Sequence, residues 1–346
     1  MKKQSLAEKM AEKAFRAPQF QQSWNVHLQA FGPILEPAFD SFQMKTHICA
    51  ALNLISSGKI QQGIKKLQSV QDKCETDADR AAWLFFMGVA CEMAGQTDQM
   101  YVFYSYAGEY GHRFFMPYVK CGKYALNCGD YIAAEQDYRA AIACFDGKGL
   151  SGRDKLILGS AYTNLATCLT MTRRFEEAEA ALATSRSLCP QADGRPAAEA
   201  ILYAVQGRTA ECEEALAKLT PQARKVIEET VNPILSGSNP RFTVRPAAEE
   251  RIADFWAWFA GHAEELAEIL EGENKQAAVE SMGSHLAELF DFLEDTPHLG
   301  IGCEDGRFTV ELMDNFHASL EAGCEALLAA RPAGHENWAF TVIHSI

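Results

Sequence analysis

Small and large side chains recur along this chain with a period of about 34 residues, and this recurrence constrains the fold more than any other feature. A small residue marks the centre of each copy, and the five markers are Ala51, Gly88, Gly122, Ala166 and Ala200. Their intervals are 37, 34, 44 and 34 residues. We interpret the longest interval as one repeat with a ten-residue insert in the Gly- and Lys-rich stretch 146–155.

Each copy has the residue spacing of two helices joined by a short turn. In the third copy, Gly122 and Ala134 are small residues that let the two helices approach closely. Tyr131 and Tyr138 are large residues that fill the space to the next copy. Because a single helix pair cannot bury both of its faces, neighbouring pairs have to stack.

This spacing resembles the tetratricopeptide repeat (TPR) over about residues 44–225, with five copies of which the first and the last are degenerate. The resemblance implies a mainly α fold: a right-handed α-solenoid of about five helix pairs. It also implies a concave surface, lined by the first helix of each pair, on which a peptide or a partner helix lies. The function that follows is a protein–protein adaptor, or a regulator that senses a peptide.

The resemblance places eight side chains on that concave surface. These candidate partner-binding residues are Ile48, Leu52, Phe85, Val89, Val119, Lys123, Thr163 and Thr167. We expect an apolar partner segment over Phe85, Val89 and Val119, with Lys123 supplying one charged contact. The alternative is that these side chains contact a neighbouring helix or the C-terminal domain and bind no partner.

A cluster of aromatic residues follows the second marker. Its members are Tyr101, Phe103, Tyr104, Tyr106, Tyr110, Phe114, Phe115 and Tyr118. Most of them fit the repeat core, as Tyr104 does. Any of Phe103, Tyr106 and Tyr110 that is exposed would form a contact surface, because aromatic side chains commonly anchor interfaces.

Composition, together with the prolines and glycines that interrupt regular structure, divides the chain into four predicted parts. Residues 1–43 are predicted to form an N-terminal helical cap, and residues 44–232 form the solenoid. Residues 233–248, which contain several prolines and glycines, are a predicted linker. Residues 249–346 form a small acidic α+β domain.

The C-terminal domain has a recognisable order of elements. Two helices are predicted, from Phe255 to about Glu271 and over 275–293, followed by a hairpin, a helix over 316–330 and a strand over 338–343. The Asp-Gly dipeptide between two alternating runs is a strong hairpin signal. This order resembles a poorly characterised bacterial module, and the resemblance implies a fold without implying an activity.

The distribution of charge excludes one class of partner. Residues 246–346 contain 20 acidic and 4 basic residues, whereas the rest of the chain has 26 acidic and 28 basic residues. Binding to duplex nucleic acid requires a basic surface, so nucleic acid is not a predicted partner. No apolar stretch of the length of a membrane span is present. The 11 cysteines are scattered singly, which favours a reducing cytoplasm over a disulfide framework.

No catalytic residue, metal ligand or cofactor is predicted. The sequence lacks a phosphate-binding Gly-Lys-Ser/Thr loop, a GxSxG motif and an HExxH motif. Two alternatives stay open. One is an enzyme or metal-binding protein whose site lies in the C-terminal domain, which holds six of the nine histidines. The other is a homo-oligomer in which the acidic domain meets the basic insert.

Overall fold

The computed structural model describes residues 42–111, 114–145, 150–191, 194–272, 274–293 and 295–344. Almost all of the predicted N-terminal cap (1–43) and part of the predicted insert (146–149) lie outside these residues. The chain divides into two compact units. Unit 1 comprises Met1–Cys168 and Ala180–Asp193, and unit 2 comprises Leu169–Glu179 and Gly194–Ile346. The domain boundaries at 232 and 249 therefore stay predictions, since the compact units divide the chain elsewhere.

The repeat region consists of successive helix pairs, as predicted. Its helices are α1 (Phe42–Ser56), α2 (Ile60–Gln68), α3 (Asp77–Met93), α4 (Thr97–Tyr110), α5 (Phe115–Asn127), α6 (Tyr131–Ala143), α7 (Gly152–Met171), α8 (Phe175–Leu188), α9 (Arg195–Val205), α10 (Thr209–Ala217) and α11 (Pro221–Leu235). The turn between α7 and α8 is counted with unit 2.

The turn inside each pair is the same structure five times. In each one a residue with positive φ follows the first helix, and these residues are Gly58, Gly95, Gly129, Arg173 and Gly207. The next N–H then donates to a carbonyl five residues earlier, as from Gln96 to Cys91 and from Asp130 to Ala125. This left-handed cap ends the first helix and reverses the chain. The five turns repeat the intervals of the small-residue markers, so the TPR-like architecture is confirmed in its local geometry.

The spacing predicts that the large residues fill the space to the next copy, whereas in the structure Tyr104 and Tyr138 pack on the small residue of their own helix pair. A Cβ added to Gly88 would lie 2.6 Å from ring carbons of Tyr104, and one added to Gly122 would lie 3.1 Å from Tyr138. Both tyrosines are fully buried. Each glycine therefore leaves the space that the tyrosine ring of the second helix occupies.

Unit 2 contains a second core, built from helices and a sheet. After α9–α11 come α12 (Glu249–Glu271), α13 (Lys275–Leu289), β1 (His298–Glu304), β2 (Arg307–Met313), α14 (Ala318–Ala329) and β3 (Trp338–Ile343). The strand order is β1-β2-β3, with β1 antiparallel and β3 parallel to β2. The predicted hairpin, crossover helix and final strand are thus confirmed as a small mixed sheet.

The sheet core is aromatic. Phe308 and Trp338 are opposite each other in the β2–β3 register, with ring centroids 4.6 Å apart. Phe340 packs edge-on against Trp256 of α12, whose Nε1–H donates to the carbonyl of Leu327 at 2.8 Å. Because Trp256 is buried, this bond satisfies an N–H that water cannot reach.

The segment predicted as a linker is bound to the rest of unit 2. The carbonyls of Pro240 and Arg241 accept hydrogen bonds from the N–H groups of Ser319 and Ala318. These are the first N–H groups of α14, which has no capping side chain. Residues 240–241 therefore cap α14.

Hydrophobicity sets one further limit. None of the helices in the described ranges combines the length and the apolar character that a membrane span requires.

Candidate functional site

Five of the eight predicted partner-binding residues are buried. They are Ile48, Leu52, Phe85, Val89 and Thr163. Val119 and Thr167 are half-buried, and Lys123 is exposed. Side chains packed inside the chain cannot touch a partner unless the fold opens. The expected contact with Phe85 and Val89 therefore has to be corrected, whereas Val119, Lys123 and Thr167 stay candidates.

Helix α3 explains the burial of Phe85 and Val89. The Phe85 ring lies 5.0 Å from Phe114 and 5.3 Å from Tyr104, so it fills the core between the helices. Every residue of α3 from Ala81 to Cys91 is buried. The sequence carried the signal, because a helix that is apolar on all sides belongs in a core.

The predicted charged contact lies beside an internal ion pair. Lys120 Nζ is 2.8 Å from Glu92 Oε2, and the Tyr104 hydroxyl donates to the same oxygen at 2.7 Å. Burial alone would raise the pKa of Glu92, but the hydrogen bonds from Lys120 and Tyr104 outweigh it, and the pKa is lowered. Glu92 is therefore ionised, and its carboxylate is already bonded to Lys120 and Tyr104. Lys123 is exposed and, within the described ranges, forms no such bond.

Two of the three aromatic residues that the sequence singled out as a possible contact surface are exposed, and Val102 lies beside them. Val102, Tyr106 and Tyr110 have exposed fractions of 49, 50 and 37 %. They are spaced four residues apart on α4 and so share one face of that helix. We call this face the aromatic stripe. Phe103 is not part of it, since it is half-buried and its ring lies edge-on to Trp83 at 6.3 Å.

The stripe is exposed although its helix is firmly packed. Tyr104 and Ala107, on other faces of α4, have no exposed surface. The guanidinium of Arg80 lies 5.6 Å from the Tyr110 ring centroid, close enough for a cation–π contact. The stripe therefore presents rings held on a fixed helix, with one cation beside them.

The described histidines of the C-terminal region have different surroundings. His262 and His285 both stack on Trp258, with centroid distances of 5.5 and 3.8 Å. His317 is buried, and burial, together with the charge of Arg241, lowers its pKa to about 4. His344 is exposed and lies among carboxylates.

A cavity of about 410 Å³ adjoins His344 in unit 2. Its walls include the repeat turn at Arg173 and Phe175, and the side chains of Asp314 and Glu321. Arg173 Nη1 donates to Glu321 Oε2 at 2.7 Å. Sequence reasoning missed this cluster, because residues of such different positions form no motif.

The described residues form a helical-repeat fold with TPR-like helix pairs that continues into a small α+β region. No protein-family model matches the chain, and no curated protein matches it. Among solved structures it is similar to the C-terminal part of a TPR repeat-containing protein from Cytophaga hutchinsonii, at 14% identity and a TM-score of 0.37. The match covers 83% of this chain and 96% of that one. The TPR-like architecture rests on the repeated turns and helix pairs described above.

Proposed function

We propose that this chain is a non-catalytic adaptor or regulator that binds another protein, and that the aromatic stripe is its main contact. The observation that carries the proposal is the exposure of Val102, Tyr106 and Tyr110 on one face of a helix packed on its other faces. TPR-like repeats are typical of protein-interaction scaffolds, which supports the same class of function.

The chemistry of the stripe favours an apolar partner segment. From Val102 to Tyr110 the stripe spans about 12 Å of helix, at about 1.5 Å per residue. Tyrosines contribute strongly to interfaces, because each ring buries a large area while its hydroxyl can still reach water. Arg80 beside Tyr110 adds a place for one acidic group on the partner. A short amphipathic segment with an acidic end fits these requirements.

The concave-surface hypothesis now concerns the three predicted residues that a partner can reach, Val119, Lys123 and Thr167. Lys123 is the member whose contribution can be measured separately, because its charge can be reversed at the surface. A partner that uses this surface depends on Lys123, whereas a partner on the stripe does not.

The adaptor hypothesis is tested on a partner first captured with the full-length chain and then identified. We expect Tyr106→Ser combined with Tyr110→Ser to weaken binding of the purified partner at least tenfold, since interface tyrosines are frequent hot spots. Val226→Ser, at an exposed apolar residue of unit 2, is the matched control. Affinities of all variants are measured by isothermal titration calorimetry.

Three outcomes separate the hypotheses. Loss of affinity in the double tyrosine variant alone supports the stripe. Loss in Lys123→Glu alone moves the contact to the predicted concave surface. Equal affinity of both variants and wild type contradicts the assignment of the contact to either surface.

We also propose that the chain works in the reducing cytoplasm. All 11 cysteines are free, and 6 of them are buried. Burial raises the pKa of Cys121, Cys168 and Cys324 to about 12, so these thiols stay protonated at neutral pH. Protonated buried thiols pack as small apolar groups and have little reactivity.

Thiol labelling gives a prediction about these cysteines. Cys128 is the one exposed cysteine of the eleven. We expect a single fast phase with a disulfide reagent such as DTNB on the native chain, and slow reaction of the remainder until the chain is unfolded. Cys128→Ser should remove the fast phase. A fast phase that remains in the Cys128→Ser variant would mean that another cysteine, one that is not exposed in the structure, is accessible to the reagent in solution.

A further inference from the structure

We propose that unit 2 binds one divalent transition-metal cation between Asp314, Glu321 and His344. One ligand atom from each of these residues lies within 4.8 Å of the other two. His344 Nδ1 is 3.5 Å from Asp314 Oδ2 and 3.7 Å from Glu321 Oε1. This site goes beyond the proposed adaptor function and does not depend on it.

The topology of unit 2 brings the three residues together. Asp314 directly follows β2 and His344 directly follows β3, which are parallel neighbours with Met313 opposite Ile343. Their side chains therefore leave the sheet at the same edge. The crossover helix α14 begins at this edge, and Glu321 lies in its first turn. The carboxyl ends of parallel strands are where α/β proteins commonly bind ligands.

Each of the two carboxylate ligands is oriented by a hydrogen bond on its other oxygen. Asp314 Oδ1 accepts the N–H of Phe316 at 3.0 Å, and Glu321 Oε2 accepts Arg173 Nη1 at 2.7 Å. His344 Nε2 lies 4.0 Å from Glu325 Oε1. A carboxylate behind a histidine and hydrogen bonds behind the carboxylates are the outer shell that metal sites typically have.

The charge of the cluster favours a cation. The Asp314 side chain has only 4 % of its surface exposed, so salt would screen its attraction to a bound cation only weakly. Arg173 Nη1 bonds to Glu321 on the side away from His344. A divalent cation between Asp314 and Glu321 would be attracted to both carboxylates.

The ligand types indicate the class of metal. Two carboxylates and one imidazole suit Mn²⁺, Fe²⁺ or Zn²⁺, whereas Mg²⁺ and Ca²⁺ prefer oxygen ligands throughout. Metal–ligand distances of about 2.1 Å put neighbouring ligand atoms about 3 Å apart, so the cluster needs to tighten by less than about 2 Å. The adjoining cavity of about 410 Å³ leaves room for water or a further ligand on the metal.

Arg173 adds an independent reason to regard this place as specialised. It has φ 62°, whereas the other four repeat turns have glycine at the same position. A side chain in this backbone region costs stability, and such residues concentrate where a side chain is needed. Here that side chain holds Glu321.

The test uses the tag-free full-length chain and Mn²⁺, which thiols bind weakly, so the cysteines do not compete. Free Mn²⁺ is followed by its electron paramagnetic resonance signal during a titration. We expect one Mn²⁺ per chain and competition by Zn²⁺. His344→Ala and Glu321→Gln should each weaken binding at least tenfold, and Glu325→Gln by about tenfold, as outer-shell substitutions do.

Matched controls distinguish this site from scattered surface binding. His262→Ala and Glu304→Gln change one exposed histidine and one exposed carboxylate outside the cluster and should leave Mn²⁺ affinity unchanged. Because His344 is exposed, its substitution should leave the fold intact, which circular dichroism checks. Absence of Mn²⁺ and Zn²⁺ binding, or equal weakening by the controls, would overturn the proposal.

Discussion

Replacing Gly88 by alanine should lower the free energy of unfolding of unit 1 by about 2 kcal/mol. Helix propensity alone predicts the opposite, a gain of about 1 kcal/mol for glycine to alanine inside a helix. The added Cβ would, however, lie 2.6 Å from Cδ1 and Cε1 of Tyr104. That ring is fully buried and its hydroxyl is bonded to Glu92, so it cannot move aside freely. Overpacking of this kind costs about 1–3 kcal/mol.

Gly261→Ala is the matched control. Gly261 also lies inside a helix, α12, but nothing is within 4 Å of the position of its Cβ. Alanine there should stabilise unit 2 by about 0.5–1 kcal/mol. Native-state hydrogen exchange of α3–α6 and of α12 reports the two units separately. Stabilisation by both substitutions would refute the close contact between Gly88 and Tyr104.

A second background isolates the ring as the cause. In a Tyr104→Leu chain the clash is removed, so Gly88→Ala should then cost much less than it does beside tyrosine. The difference between the two backgrounds is the coupling free energy of the pair. A coupling near zero would assign the destabilisation to the helix backbone instead.

The repeat could be predicted because its signal is local. Gly88 with Tyr104 and Gly122 with Tyr138 are 16 residues apart, and this alternation of small and large residues predicts paired helices. It did not predict that Tyr138 packs on Gly122 of its own pair, since the spacing assigned Tyr138 to the space before the next copy. The hairpin could be predicted for the same reason, since its turn signal is local. Asp305 and Gly306 both have positive φ, which suits the two-residue turn that joins β1 to β2.

The candidate sites were less predictable because they depend on non-local packing. The spacing of Phe85 and Val89 places them on a first helix but does not tell which side chains cover them. The cluster at Asp314, Glu321 and His344 exists because β3 pairs in parallel with β2, and no spacing rule connects those positions. The prolines near 240 indicated a break in regular structure, but not that Arg241 would cap a helix.

A pH dependence is expected from Asp137 on α6. Burial, with the nearby charge of Asp130 adding to it, raises the pKa of Asp137 to about 7. The carboxyl lies near Tyr101, Tyr118 and Cys121, and its charge helps to raise the pKa of each. In the unfolded chain an aspartate has a pKa of about 4. Between about pH 4 and 7 the folded chain therefore binds the proton more tightly, and its stability falls as the pH rises.

Asp137→Asn should consequently stabilise unit 1 at pH 8 and have little effect at pH 4. The full shift corresponds to about 4 kcal/mol, and partial access of water to this half-buried group reduces the expected gain to about 2 kcal/mol. Glu109→Gln, which removes an exposed carboxylate from the same unit, should give no such gain. Hydrogen exchange of α6 at the two pH values measures the difference. If Asp137→Asn changes the free energy of unfolding by the same amount at pH 4 and at pH 8, water or a counter-charge already stabilises the ionised form of Asp137. Only a proton retained on the folded carboxyl makes the benefit of asparagine depend on pH.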